Sequence, residues 1–296
     1  MTPRRLELTV PAQRAGQKVD TLLRKDLGLS GTVVKRIKWL PDGILLDGER
    51  VFTSHRVEPG QVLSVLVADP EVRSGIPPVD GPLDIVYEDG DLLVLNKAPG
   101  VSVHPGPGHW DDTVGNFLMA YYHRTGVQAD FHPVHRLDKG TSGLLVVAKH
   151  PHAQEGLKRQ LHTARFRRTY LAVCVGRPEP ESGTIDAPIG PVEGSLMARM
   201  VRPDGLSART RYQVLESHNG RSLVRLELDT GRTHQIRVHL AHLGHPLVGD
   251  FLYGEEDPSL ITRPALHSSE LDLEHPITKQ QLHFAVPLPP DIANLL

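Results

Sequence analysis

The stretch of this chain richest in reactive side chains runs His135-Arg136-Leu137-Asp138-Lys139-Gly140-Thr141-Ser142-Gly143 and leads into the apolar run LLVVAK. A polar loop ahead of a buried strand presents one guanidinium and one carboxylate two residues apart. Its two glycines allow close backbone approach or a positive φ. The loop offers a carboxylate for chemistry, but the same spacing describes a local ion-pair turn. A second stretch, Gly231-Arg232-Thr233-His234-Gln235-Ile236-Arg237-Val238-His239-Leu240, has helical spacing. Thr233 is placed to cap this helix, Ile236, Leu240 and Leu243 to form its buried stripe, and Gly244 to end it. Arg237 then lies beside the stripe, partly desolvated, and needs a carboxylate or phosphate partner. Asp138 is a candidate. A third stretch, Phe166-Arg167-Arg168-Thr169-Tyr170-Leu171-Ala172-Val173, opens a buried strand with a tyrosine just after a basic pair. That ring is either a core tyrosine with its hydroxyl at the rim or a surface against which a nucleobase packs.

Other chemistries fit the residues poorly. His234, His239, His242 and His245 cluster in the sequence, yet His245 lies beyond Gly244 and no HExxH pattern exists. Cys174 is the only cysteine, which excludes zinc sites built on paired cysteines, including that of the zinc base deaminases. Within the run LAVCV it reads as a small buried hydrophobe. A glycosidase needs two carboxylates set across a sugar bond, and only one stands out. The phosphate-loop pattern GxxxxGK[ST] is absent.

In order and spacing, the three stretches resemble the RluA family of pseudouridine synthases. The residues that carry the resemblance are His135-Arg136-Leu137-Asp138 with Thr141-Ser142-Gly143, then Arg168-Thr169-Tyr170, then Gly231-Arg232-Thr233-His234-Gln235-Ile236-Arg237. Leu92 to Gly100 (LLVLNKAPG), Gly244-His245-Pro246 and Gly249-Asp250 add to it, so that it spans about residues 83–290. The resemblance implies an isomerase that converts uridine to pseudouridine in structured RNA, most readily large-subunit ribosomal RNA, with tRNA as the other candidate. Asp138 is then the catalytic aspartate, acting as nucleophile or base. Tyr170 packs on the target base, Arg136 fills the space that a flipped uridine vacates, and Arg237 binds at the same site. A cationic Arg237 near Asp138 would favour the ionised carboxylate and hold its rotamer. The reaction oxidises nothing and needs no energy carrier, so neither cofactor nor metal is implied. An RNA-binding protein of the same fold without activity is the alternative. The presence of Asp138, Tyr170 and Arg237 together argues against it.

Those side chains need a scaffold. From Leu83 onward short strand-like runs dominate (LDIVY, LLVLNK, GLLVVAK, TYLAVCVG, TRYQVL, SLVRLELD, LHFAVPL), with helical spacing in TVGNFLMAYYHR, HAQEGLKRQLHT and THQIRVHLAHLG. An α+β catalytic domain around a mixed or antiparallel sheet follows, over residues 83–296. Residues 69–82, with four prolines and two glycines, have linker composition. Ahead of them, residues 17–68 read as a small α/β module. VDTLLRKDLG forms a helix ending at Gly28, Ser30 caps a second helix through VVKRIKWL, and Asp47-Gly48 turns a hairpin before the strand QVLSVLVA. This module resembles the S4-type RNA-binding domain, a common partner of the family, and Lys35, Arg36 and Lys38 on its second helix are candidate phosphate contacts. Net charge is only −2, but arginine supplies 24 of the 33 basic residues, and arginine grips phosphate with two bonds at once. No run of about 18 apolar residues exists and the first ten residues lack a signal-peptide core. A monomeric, cytoplasmic protein is the expectation.

Overall fold

The structure is a computed structural model that describes residues 3–69 and 71–296; Pro70 of the expected linker lies outside the described residues. The small unit contains strand β1 (Arg5–Thr9), helices α1 (Val19–Lys25) and α2 (Gly31–Ile37), and strands β2 (Ile44–Leu46), β3 (Glu49–Arg50) and β4 (Val62–Leu66). Ser30 caps α2 by accepting from Val33 N at 3.3 Å. Asp47 and Gly48 both take positive φ, as a two-residue hairpin turn demands. The four strands run antiparallel in the order β1-β4-β2-β3. β1, which precedes residue 17, joins this sheet and covers a backbone edge that β4 would otherwise expose. Val19, Leu22 and Leu23 of α1 and Val33, Val34 and Ile37 of α2 close its core.

The large unit is built on strands β5 (Ile85–Glu88), β6 (Leu92–Lys97), β7 (His132–Pro133), β8 (Ser142–Ala148), β9 (Phe166–Val175), β10 (Ser182–Asp186), β11 (Ile189–Pro191), β12 (Arg199–Val201), β13 (Arg209–His218), β14 (Arg221–Leu228), β15 (Leu266–Glu274) and β16 (Gln281–Ala285). Its helices are α3 (Val114–Thr125), α4 (Pro151–Gln160), α5 (Gln235–His242) and α6 (Pro290–Ala293). The main sheet runs β10-β13-β14-β9-β15-β8-β6-β5, with β16 beside β15 and β7 beside β8. Among the described residues only the β15–β8 pair is parallel, so the sheet is mixed and dominated by antiparallel pairs, as expected. All three expected helices form.

One central strand was not expected. β15 joins the two halves of the sheet, yet its sequence LHSSELDLE carries polar residues at buried positions. His267, Ser268 and Ser269 are buried there and break the apolar pattern by which a central strand is read. Its parallel register sets Gly143 against Ser268. A Cβ at Gly143 would fall 2.2 Å from the Ser268 carbonyl oxygen, and φ there is +105°, so only glycine fits.

Residues 71–82 hold no helix or strand, but they are tied down. Arg73 N and Ser74 N both donate to Asp130 Oδ2 at 2.9 Å, and Asn116 Nδ2 on α3 donates to the Pro77 carbonyl at 2.9 Å. The two units also meet directly. Arg4 grips Asp91 with two bonds of 2.8 and 2.9 Å. Arg36 bonds Asp69 at 3.1 Å, and Asp69 in turn accepts from His132 Nε2 at 2.7 Å. Burial would raise the Asp91 carboxyl, but bonds from His150 and Arg4 outweigh it and hold the group well below the usual carboxylate range.

Candidate active site

Asp138 lies in the turn between β7 and β8, and three successive carbonyls pin that turn. The Asp138 carbonyl accepts from Thr141 N at 3.0 Å, and the Lys139 carbonyl from Gly100 N at 2.8 Å. Lys97 Nζ, at the end of β6, reaches the Lys139 carbonyl as well at 3.2 Å, and also those of Ala98 and Val101 at 2.8 and 2.9 Å. Arg263 Nη1 donates to the Gly140 carbonyl at 3.1 Å. Asp291 holds the Arg263 guanidinium through two bonds of 2.7 and 2.9 Å. Two buried cations from distant parts of the chain thus set the path of the turn. Burial pushes the Lys97 ammonium down to about 7; Arg263 adds to that push and Asp138 opposes it.

α5 brings Arg237 to the same place. Its Nη1 stands 3.6 Å from Asp138 Oδ2. Its principal partner is Asp250, bonded at 2.7 Å through Nε and 2.6 Å through Nη2. Asp250 is fully buried, and its Oδ1 also accepts from Leu252 N at 3.1 Å. The guanidinium faces the rings of Tyr253 at 5.1 Å and Phe251 at 5.6 Å. Burial works against the Arg237 charge, but the Asp250 pair wins and raises its pKa above the ordinary value. The expected contact with Asp138 is therefore present as the weaker of two. Asp250 as the first partner was not identified from sequence, although Gly249-Asp250 stood among the residues that carry the family resemblance.

The start of α5 differs from expectation. Thr233 does not cap it; the capping position is His234, in left-handed conformation with φ 58°, and no side chain caps the helix. Gln235 acts instead, its Oε1 accepting from Arg232 N at 2.9 Å and its Nε2 donating to the Arg209 carbonyl at 3.0 Å. The left-handed turn sends the His234 ring toward the site, with Nε2 4.0 Å from Asp138 Oδ2 and Nδ1 2.8 Å from Tyr253 Oη. Burial lowers the His234 pKa, with Asp138 opposing and Arg237 assisting. Ile236 and Leu240 form the buried stripe as expected, whereas Leu243 is 38% exposed and lies outside it.

A cavity of about 420 Å³ opens on these groups, and its lining includes Arg136, Asp138, Arg168, Tyr170, His234 and Arg237. Asp138 is the one carboxylate among the lining residues. Its side chain is 21% exposed, accessible from the cavity but ringed by protein. Tyr170 is buried; that burial pushes its phenol up, against Arg168 and a hydrogen bond from Ser268. Arg136 is exposed at the rim. Lys35, Arg36 and Lys38 belong to the small unit and do not line the cavity. Lys35 is exposed, Lys38 lies over the Trp39 ring at 4.9 Å, and Arg36 is taken up by Asp69. The histidine cluster is structural where it is deepest: His239 bonds Thr210 Oγ1 at 2.8 Å and the Ala187 carbonyl at 2.9 Å, which occupies both ring nitrogens. Among the described residues one other group, Asp89, Asp91 and His275, has metal-like spacing; Asp91 there is already bonded by Arg4 and His150. Cys174 is buried, and burial pushes its thiol up to about 12. No helix among the described residues is long and apolar enough to cross a membrane.

Residues 91–242, which hold Asp138, Tyr170 and Arg237, match the family model described as RNA pseudouridylate synthase. The chain belongs to that family. The synthase is 40% identical to the RNA pseudouridine synthase YjbO of Bacillus subtilis over 92% of this chain and 95% of the relative. It is 38% identical to the ribosomal large subunit pseudouridine synthase D of Nitrosomonas europaea, over 98% of this chain and 87% of that protein. Among solved structures it is similar to human RNA pseudouridylate synthase domain containing 1, with a TM-score of 0.58 and 31% identity over 72% of this chain and 86% of that one. It is also similar to human RNA pseudouridylate synthase domain containing 4, with a TM-score of 0.59 and 26% identity over 72% and 91%. The synthase is an isomerase that acts on RNA, of the RluA type, with the mixed sheet of the pseudouridine synthase fold.

Two expected outcomes follow from the packing of the site. Asp250→Asn leaves the buried Arg237 guanidinium without its counter-charge, and removal of one partner from such a pair costs roughly 3–5 kcal/mol. Denaturant unfolding should show a loss of that order, together with reduced turnover in the folded fraction; an unchanged midpoint would show that Arg237 does not depend on Asp250. Lys97, whose folded pKa of about 7 lies below the usual 10.5, binds fewer protons folded than unfolded between those values. Its contribution to stability therefore grows with pH across that window and is lost as pH falls toward 7. Between about pH 7 and pH 9 the wild type should gain roughly 2 kcal/mol more than Lys97→Met in urea unfolding. Equal gains would mean that burial does not move this ammonium.

Proposed function

We propose that this enzyme isomerises uridine in large-subunit ribosomal RNA, with Asp138 as the catalytic residue. The carrying observation is the position of Asp138: the one carboxylate lining a cavity otherwise rich in cations, with Tyr170 beside it and Arg237 at 3.6 Å. The names of the ribosomal relatives support the choice of RNA. The target uridine leaves its stack, because its sugar carbon cannot reach Asp138 inside a helix. Arg136, exposed at the rim, fills the vacated space, and Tyr170 packs on the flipped base. The bond from C1′ to N1 breaks with help from the ionised Asp138, the base turns, and C1′ bonds to C5. N1 gains a proton and C5 loses one, so the product is an isomer and no redox partner or group donor enters. Arg237 is a positioning residue that holds the carboxylate charged and in place.

The small unit serves as an S4-type RNA-binding domain over residues up to 68, with residues 69–82 as its connection to the catalytic domain at 83–296. Lys35 and Lys38 meet phosphate, whereas Arg36 joins the units through Asp69. The enzyme acts as a monomer in the cytoplasm.

Asp138→Asn should cut tritium release from RNA labelled at uridine C5 by at least about 10³-fold. RNA affinity should stay within about twofold, since affinity rests on cations at phosphate. Substantial release from the folded variant would remove Asp138 from the chemistry. Absence of release from the wild type, on total RNA lacking the gene product's pseudouridine, would favour the inactive RNA-binding reading. Pseudouridine mapping of RNA with and without the gene identifies the site, and an unchanged large-subunit RNA would overturn the proposed substrate. For the small unit, Lys35→Glu with Lys38→Glu should weaken binding and reduce the slope of log affinity against log salt by about 1–2. An unchanged slope would detach α2 from RNA binding.

A further inference from the structure

Arg168 stands apart from the other buried arginines of this site. Arg237 holds Asp250 and Arg263 holds Asp291, each through two bonds. Arg168 is 5% exposed, and among the described residues no carboxylate lies within 4 Å of it. Among the described residues its side chain makes one hydrogen bond, a long one of 3.5 Å from Nη2 to the Thr230 carbonyl. Its Nε is buried and has no hydrogen-bond partner among the described residues. An unpaired buried charge is expensive, and a guanidinium cannot escape the cost by releasing its proton as a lysine or histidine can.

Its position says where a counter-charge would come from. Arg168 lies two residues before Tyr170 on β9, so both side chains leave the same face of the sheet, and both line the cavity of Asp138. Arg136, Lys158 and Arg232 line that cavity too, against the single carboxylate of Asp138. The space is shaped for the guanidinium: a Cβ at Gly231 would stand 3.2 Å from Arg168 Nη1. Burial, with Arg168 second, pushes the neighbouring His135 down to about 3, so this imidazole stays neutral beside the arginine.

We propose that Arg168 is the anchor of a phosphate subsite in the active-site cavity and bonds one of the two phosphates that flank the target uridine. The inference rests on the reading of this cavity as the uridine site. A phosphate accepts two parallel bonds from a guanidinium and supplies the charge that the protein itself withholds. The bond fixes the nucleotide's backbone while its base lies against Tyr170, and thereby sets the sugar carbon in front of Asp138. It forms only with a flipped nucleotide, so it favours that state over a stacked one.

The test uses the full-length enzyme and an RNA hairpin spanning the uridine that mapping identifies as the wild-type target. Single uncharged methylphosphonates replace the phosphate 5′ of that uridine, the one 3′ of it, or a distant one. Single-turnover tritium release and filter binding are measured for wild type and Arg168→Met. For one flanking position the wild type should lose about 10–100-fold in rate at subsaturating enzyme, while Arg168→Met, already impaired, should lose less than about twofold. The distant substitution should affect both proteins alike. Equal losses at both flanking positions in the two proteins would overturn the proposal, because a structural arginine would leave the phosphate effects additive. If Arg168→Met fails to fold by circular dichroism, the wild-type scan decides: insensitivity to both flanking phosphates overturns the subsite. Arg168→Lys, which keeps the charge but not the paired donors, should then retain part of the phosphate effect, and none would count against it. Binding by Asp138→Asn separates the two readings. The flanking-phosphate effect should persist in that variant although release is lost; tritium release from it would remove the role of Asp138 and leave the phosphate coupling to be judged by binding.

Discussion

A charge can be kept out of water only where another charge or a set of dipoles holds it, and the neighbourhood of Asp138 is arranged around that constraint. Arg237 is buried because Asp250 meets it through two bonds, and Asp250 can be fully buried because Arg237 and backbone N–H groups satisfy it. With the guanidinium fixed, its remaining nitrogen is left facing Asp138. Lys97 and Arg263 take up the carbonyls of the turn from the other side. The Asp138 carboxylate, proposed to act on the sugar, is thus held by charges that are themselves held. Catalysis gains from such preorganisation, since little needs to move as charge develops.

The sheet makes these meetings possible. β9 delivers Tyr170, the β7–β8 turn delivers Asp138, and β15 passes between β9 and β8 as their shared neighbour. Its parallel approach to β8 is close enough that Gly143 alone fits against Ser268. The glycine after Thr141-Ser142 is therefore a packing requirement one strand away from the chemistry. α5 supplies the last element, and its irregular start at His234 turns a ring toward the carboxylate that a regular cap would have pointed elsewhere.

The small unit is joined to this centre by the same kind of contact. Asp91 and Asp69 belong to the interface, and Arg4 and Arg36 reach them from the small unit. An overall charge of −2 conceals this division of labour: Asp69, Asp91 and Asp250 bind cations inside the protein, while cations such as Lys35 and Arg136 remain exposed. The charge that matters for RNA is the part left unpaired.

Much of the candidate site was legible because the side chains that line its cavity sit in contiguous runs. Asp138 with its glycines, Tyr170 after a basic pair and Arg237 on an amphipathic helix announce themselves by residue type and local spacing, and the mixed sheet follows from the strand runs between them. The partners of those residues are separated from them along the chain. That Arg237 belongs first to Asp250, that Lys97 and Arg263 hold the turn, and that Arg36 faces Asp69 depend on how strands are ordered, which no local pattern encodes. β15 was invisible for a related reason: its serines and histidine are buried at the centre of the sheet, where hydrogen bonds to neighbours such as Ser142 and the Thr169 carbonyl replace the apolar pattern. The amino-acid sequence determined which groups can do the chemistry; only the tertiary structure decided which of its charges are paired, because pairing is a property of distance in space and not of distance along the chain.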